Sequence, residues 1–295
     1  MKQKRLFGIL VLFLLNKDKL LLISLRVLTG ISVASLLFIV FYLIKETLPI
    51  FQTTSSLKFF TDESWHPLSG EYLLLPMIIG SLLIMIGAML FSVPVGIFAA
   101  ILSQFYAPVW FARPLQRIVE ILSGIPSVIF GFLGIVVIVP LLAQFEAPGT
   151  SVLAGILVLS FIVLPNIVLI STNTLSQIDP VYINNAMSLG LSRYAIIRHI
   201  ILPQSKSGLF TGIVLQSGRA IGETLAVLMV CGNVVQIPGS IFEPVRTLTS
   251  NIALEMAYAM DEHRSALFLS GLLLMLVVLA IVLIAEKLSP AETIT

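Results

Sequence analysis

The chain has 295 residues, of which 58% are apolar and only 11% charged, and its mean hydropathy is +1.06. A water-soluble domain is about 45–50% apolar and about 25% charged, so this composition excludes a soluble globular protein and identifies an all-α integral membrane protein. Seventeen basic residues against fifteen acidic ones, with no basic block, argue against a nucleic-acid partner. A single cysteine, Cys231, excludes an intramolecular disulfide. No Gly-x4-Gly-Lys-Ser/Thr or Gly-x-Gly-x-x-Gly run is present, so the chain carries no nucleotide-cradling motif.

At the N-terminus, Lys2, Lys4 and Arg5 precede the apolar run Leu6–Leu15, and Asn16-Lys17-Asp18-Lys19 stands where a signal peptide would have a small-residue cleavage site. Ten apolar residues make about 15 Å of helix, half a bilayer core. Residues 1–21 therefore read as an uncleaved cytoplasmic interfacial segment. Six runs follow that are long enough to cross a bilayer, at 22–44, 73–103, 118–142, 151–172, 208–232 and 266–285. Residues 22–295 thus form one six-span domain.

Loop charge sets the orientation. The chain up to Arg26 holds six Lys/Arg and one acid; Arg113, Arg117, Arg193, Arg198 and Lys206 lie in the even-numbered connections. The opposite side carries Lys45, Lys58, Arg246 and Arg264 against nine acids, among them Glu71, Glu255, Asp261 and Glu262. The positive-inside rule puts both termini in the cytoplasm. In the third run, Ser123-Gly124-Ile125-Pro126-Ser127 removes a backbone donor and loosens the helix, which fits either a broken helix lining a cavity or a proline kink at a helix contact.

The fifth run holds Arg219 and Glu223. Four residues apart, they share one face of a continuous helix near the middle of the run. Each charge costs about 2.5–3.5 kcal/mol at mid-bilayer, so the pair calls for a role. One is a substrate pathway for an oxyanion, with the guanidinium as a planar fork, Glu223 as its resting partner, and Gln216 and Thr224 as polar neighbours. The other is a structural pair that fixes helix register. Trp65 and Trp110 read as interfacial anchors. His66, His199 and His263 read as scattered loop residues, and no residue set has metal-ligand spacing.

Between the fourth and fifth runs, the 173–207 loop contains Asp179-Pro180, then Asn184-Asn185-Ala186, Gly190, and Ile200-Ile201-Leu202-Pro203. Pro180 opens a short helix, Gly190 closes it, and an amphipathic helix runs on to Pro203. This loop resembles the ATPase-coupling loop of ATP-binding-cassette importer permeases, Glu-Ala-Ala-x3-Gly-x9-Ile-x-Leu-Pro. Ala186, Gly190, Ile200, Leu202 and Pro203 fall in register, while Asn184 and Asn185 replace the Glu and first Ala. The stretch from Gly218 through Glu223 to Asn233 resembles the signature of phosphate importer permeases, closest to the PstC-type subunit. So do Thr247–Ala253, Ser265–Phe268 and Ile125-Pro126-Ser127.

The resemblance covers about residues 72–285 and implies a type I ABC importer permease fold in a bacterial inner membrane. It implies half of a phosphate translocation pathway, with a second six-span permease, two copies of a cytoplasmic ATP-binding subunit and an external phosphate-binding protein as partners, besides membrane lipid. In that picture the chain is no enzyme and binds no cofactor, the ATP being used by the partner ATPase, and Arg219 meets the phosphate in transit. Sulfate and molybdate permeases carry a related Arg-Ala-x-Gly-Glu run. A proton-coupled secondary transporter using Glu223 as a relay would leave the 184–203 loop without a role.

Overall fold

The computed structural model describes residues 2–288; Met1 and 289–295 lie outside the described residues. Most of the described chain is helical. Helix α1 runs without interruption from Lys2 to Thr47, so no break separates residues 2–21 from the first apolar run. It lies against the last helix, α14 (Asp261–Leu288), through an edge-to-face contact of Tyr42 with Phe268 at 5.7 Å and a loose Glu46–Arg264 pair at 3.7 Å.

The core is a parallel pair, α4 (Leu75–Ile101) and α8 (Val152–Ser176), whose contacts climb in step from Ile84 beside Gly155 to Gly96 beside Ile167. Ile84, Met85 and Ala88 pack against Val158, Leu159 and Ile162. Lipid supplies no hydrophobic contrast, so close approach of small residues holds such helices together. Ser92 accordingly donates to the Ser160 carbonyl across the pair at 3.1 Å. Ser151 caps α8 by accepting from the Ala154 N–H.

Between these helices, α5 (Val109–Gly124) turns by 95° across Ile125-Pro126 into α6 (Ser127–Leu133), which continues through a π-helical stretch, Gly134–Ile138, into α7 (Val139–Ala143). Four helical segments among the described residues are long and apolar enough to cross a membrane, and five if the bent α5–α7 unit counts as one. The run 208–232 is not among them. It is divided between α11 (Leu202–Ile221) and α12 (Leu225–Val230).

The acidic end of the bundle is built, not merely looped. After α1 come α2 (Ile50–Thr53), α3 (Lys58–Thr61) and a hairpin of β1 (Trp65–His66) and β2 (Glu71–Tyr72). Ile50, Phe59, Trp65 and Tyr72 bury against Leu248 of α13 (Leu248–Glu255) and Leu267 of α14. Trp65 is therefore 6% exposed rather than an interfacial anchor. At the opposite end, α9 (Pro180–Ser188) and α10 (Arg193–Ile196) pack on the ends of α4 and α8 through Ala186, Ile196 and Ile201 against Ala100 and Leu175.

Pro203 does not end a helix. Helix α10 passes through a π-helical stretch, Ile197–Ile201, directly into α11. The proline has no N–H to donate, and the wider turn just before it absorbs the missing bond. The same device precedes Pro140, after the Gly134–Ile138 stretch.

Candidate functional site

Helix α11 stops at Ile221, and Gly222, Glu223 and Thr224 form a break before α12. Glu223 is consequently off the helix, and the expected shared face with Arg219 is not formed. The ion pairs among the described residues are Arg246–Glu255, His263–Glu255 and Arg264–Glu46. Arg219 and Glu223 are not paired. Arg219 is exposed in the last turn of α11, where the partial negative charge of the carbonyl ends favours a cation.

Glu223 bonds to the next helix instead. One carboxylate oxygen accepts from the Ala226 N–H at 3.4 Å, in the first turn of α12. Its backbone carbonyl accepts from the Thr249 hydroxyl at 3.1 Å. Thr224 Oγ1 donates to the Gly222 carbonyl at 3.1 Å. Gln216 is buried, and its Oε1 has no protein partner among the described residues. Of the four pathway residues read from the sequence, Glu223 and Thr224 sit in the break, Arg219 borders it, and Gln216 lies inside the bundle.

The break is held from both sides. Gly131 of α6 lies so close to α12 that a Cβ there would meet Ala226 Cα at 2.8 Å and Met229 Sδ at 2.9 Å. The segment Ser123, Gly124, Pro126 and Ser127 is where α5 bends into α6, so the bend brings that glycine face onto α12. Beyond α12, Gly232 and Asn233 both have positive φ, +81° and +56°. The Asn233 amide donates to the Leu228 carbonyl at 2.7 Å and closes the helix end.

An outer anchor, absent from the sequence reading, fixes this segment. Glu255 is 7% exposed and accepts from Arg246 at 2.6 Å, from Trp65 Nε1 at 2.8 Å, and bonds His263 Nε2 at 2.8 Å. Arg246 also donates to Asn251 Oδ1 at 3.1 Å and to the Asn233 carbonyl at 2.9 Å. His263 thus belongs to the first turn of α14 and to this cluster, not to a loop. Burial, and then the Glu262 carboxylate, push the nearby Tyr72 phenol upward.

In the loop from 173 to 207, Asn184, Asn185 and Pro203 are exposed, Ala186 is buried, and Ile200 and Leu202 are half-buried. Gly190 has φ +77°, and Leu191 N–H returns to the Ala186 carbonyl at 3.1 Å. That left-handed turn joins α9 to α10 and leaves Tyr182, Met187, Leu189 and Tyr194 exposed on one knob.

Residues 92–291 match the family of binding-protein-dependent transport system inner membrane components. A probable ABC transporter permease protein of Bacillus subtilis, YqgH, is 37% identical over 241 residues, covering 80% of this chain and 78% of that protein. The phosphate transport system permease protein PstC of Xylella fastidiosa is 33% identical over 250 residues, 78% and 77% of the two chains. Among solved structures, a bacterial ABC transporter involved in alginate import superposes with a TM-score of 0.61 over 90% of this chain and 96% of that chain, at 16% identity. The methionine ABC transporter MetNI gives 0.55 over 73% and 92%, at 18% identity. These last two show the fold alone.

Proposed function

Because the chain belongs to the binding-protein-dependent transport system inner membrane components, a family of multi-pass ABC importer permeases, we propose that it forms half of an ATP-driven pathway for inorganic phosphate. Its likeness to PstC proteins over more than three quarters of its length supports the substrate. The observation that carries the mechanism is the break at Gly222–Thr224. It withdraws Glu223 onto α12 and leaves the Arg219 guanidinium exposed and without a carboxylate.

A planar cation with no internal counter-charge can take an oxyanion bidentately, and the anion need not first displace a resident carboxylate. The exposed Gly222 and the half-buried Thr224 follow Arg219 in the break. In this reading α11 and α12 together make the fifth crossing and bring the total to six, both termini are cytoplasmic, and residues 2–21 extend α1 at that surface. The pathway is completed by a second six-span permease. Of two ATP-binding subunits, one docks on the α9–α10 knob at Asn184, Asn185 and Gly190 and the other on the second permease, and an external phosphate-binding protein delivers the substrate. ATP is bound and hydrolysed by those subunits, and this chain binds no cofactor.

The test is ATP-dependent uptake into vesicles that hold the chain with its co-expressed subunits, with phosphate and sulfate offered separately. Phosphate-selective uptake that vanishes in Arg219→Gln, with assembly intact, is the expected result. Sulfate uptake would keep the importer and overturn the substrate. Uptake without ATP would revive the proton relay through Glu223.

A further inference from the structure

Helix α5 carries a feature that the pathway does not use. Because the chain turns by 95° between α5 and the α6–α7 leg, a leg that crosses the bilayer leaves α5 lying roughly in the membrane plane. The charge pattern of the loops puts α5 at the cytoplasmic surface, and Arg193 of the α9–α10 knob reaches the Phe105 carbonyl just ahead of it. One side of α5 is taken: Val119 is buried, and the helix packs on α8.

The free side is graded. At 3.6 residues per turn, Arg113, Arg117, Trp110, Ile121, Pro114 and Ile118 fan across an arc of about 140° in that order. The arc therefore runs from guanidinium through indole to aliphatic side chains. Val109, Trp110, Arg113, Pro114 and Arg117 line a groove of 640 Å³, and Trp110 is 77% exposed. Neither arginine has a carboxylate partner within 4 Å among the described residues. Glu120, at the outer charged edge, is the helix's one acid.

We infer that this groove binds the phosphate headgroup of an acidic phospholipid, held by Arg113 and Arg117 with its glycerol region against Trp110 and its acyl chains along Ile121 and Ile118. The gradient argues for this occupant. A soluble anion would use the two arginines and leave the apolar half of the arc in water. A lipid matches all of it in the same order, from charge to interface to hydrocarbon. Two basic residues beside an anionic headgroup correspond to an enrichment of at most about 30-fold over a zwitterionic lipid.

Trp110 is its own reporter. The chain has two tryptophans, and Trp65 is buried at the other end of the bundle. Subtracting the emission of Trp110→Phe therefore isolates Trp110. The full chain with its co-purifying subunits is placed in phosphatidylcholine vesicles doped with brominated phosphatidylglycerol or brominated phosphatidylcholine at equal mole fraction. Quenching of Trp110 at least about twofold stronger by the acidic lipid is expected, a conservative reading of the enrichment. In Arg113→Gln/Arg117→Gln that preference is lost while Trp110 stays quenchable by both lipids. Equal quenching in the native chain, no quenching by either lipid, or a preference that survives the double substitution overturns the proposal. So does loss of the preference on adding millimolar inorganic phosphate at constant ionic strength, which would make the site one for the free anion. Native mass spectrometry of the same complexes provides a second reading, with retained acidic lipid fewer by at least one per chain in the double variant.

Discussion

Glu255→Ala tests whether the outer anchor fixes the segment that follows the helix break. The carboxylate is bonded to Arg246, Trp65 and His263, and the two members of its arginine pair are 10% and 18% exposed. Removing one partner of a buried ion pair costs about 3–5 kcal/mol, because the other charge stays buried without compensation. Here Arg246 keeps Asn251 and the Asn233 carbonyl as acceptors and some contact with water, so the lower figure, about 3 kcal/mol, applies. At about 2–4 °C per kcal/mol for chains of 150–250 residues, melting in detergent falls by about 6–12 °C. Glu255→Gln keeps the shape and one acceptor but loses the charge, and falls by about half as much. Both are measured by thermal unfolding of the purified chain, with tryptophan emission following Trp65. A decrease of less than about 2 °C in Glu255→Ala would refute the claim that this cluster is structural.

Four further outcomes follow from the geometry. Gly190→Val forces a β-branched residue into φ +77°, at a cost of roughly 1–2 kcal/mol. It should abolish co-purification of the ATP-binding subunit while the bundle still folds, and retained co-purification counts against the knob. Gly131→Val drives a side chain into the α12 backbone and should destabilise by at least about 1–3 kcal/mol, read as lower melting and lost uptake. Thr249→Val removes the bond to the Glu223 carbonyl and should cost about 1 kcal/mol in stability, with uptake falling more than melting does. Arg219→Lys, which keeps charge but not the planar fork, should restore only part of the uptake that Arg219→Gln loses.

Much of the bundle is legible because apolar length is a strong signal. The helices at 75–101, 152–176 and 261–288 fall where the runs predict them. Gly190 also announces itself, since few residues besides glycine close α9 at that φ. The acidic end is a different case. Trp65 and Glu255 are 190 positions apart, and the hydrogen bond between them is a tertiary fact that no local pattern encodes. In the sequence Trp65 resembles a membrane anchor and His263 a loop residue for the same reason: nothing local shows that Glu255 binds both.

The helix break was hidden for a physical reason that bears on function. Gly218, Gly222 and an otherwise apolar run permit a continuous helix, and i,i+4 spacing then makes Arg219 and Glu223 look self-neutralising. What ends α11 is tertiary. Gly131 admits the α12 backbone, Thr249 binds the Glu223 carbonyl, and the Glu255 anchor holds the far side of the turn. A continuous helix would set a carboxylate beside the guanidinium proposed here to take the anion, and entry would then require displacing it. With the break, the carboxylate is bonded to an N–H of α12, and the positive charge stays available. The stability held in the outer anchor and the availability of Arg219 are therefore linked. Loosening the anchor by Glu255→Gln should weaken anion uptake through Arg219 even at temperatures where the chain remains folded.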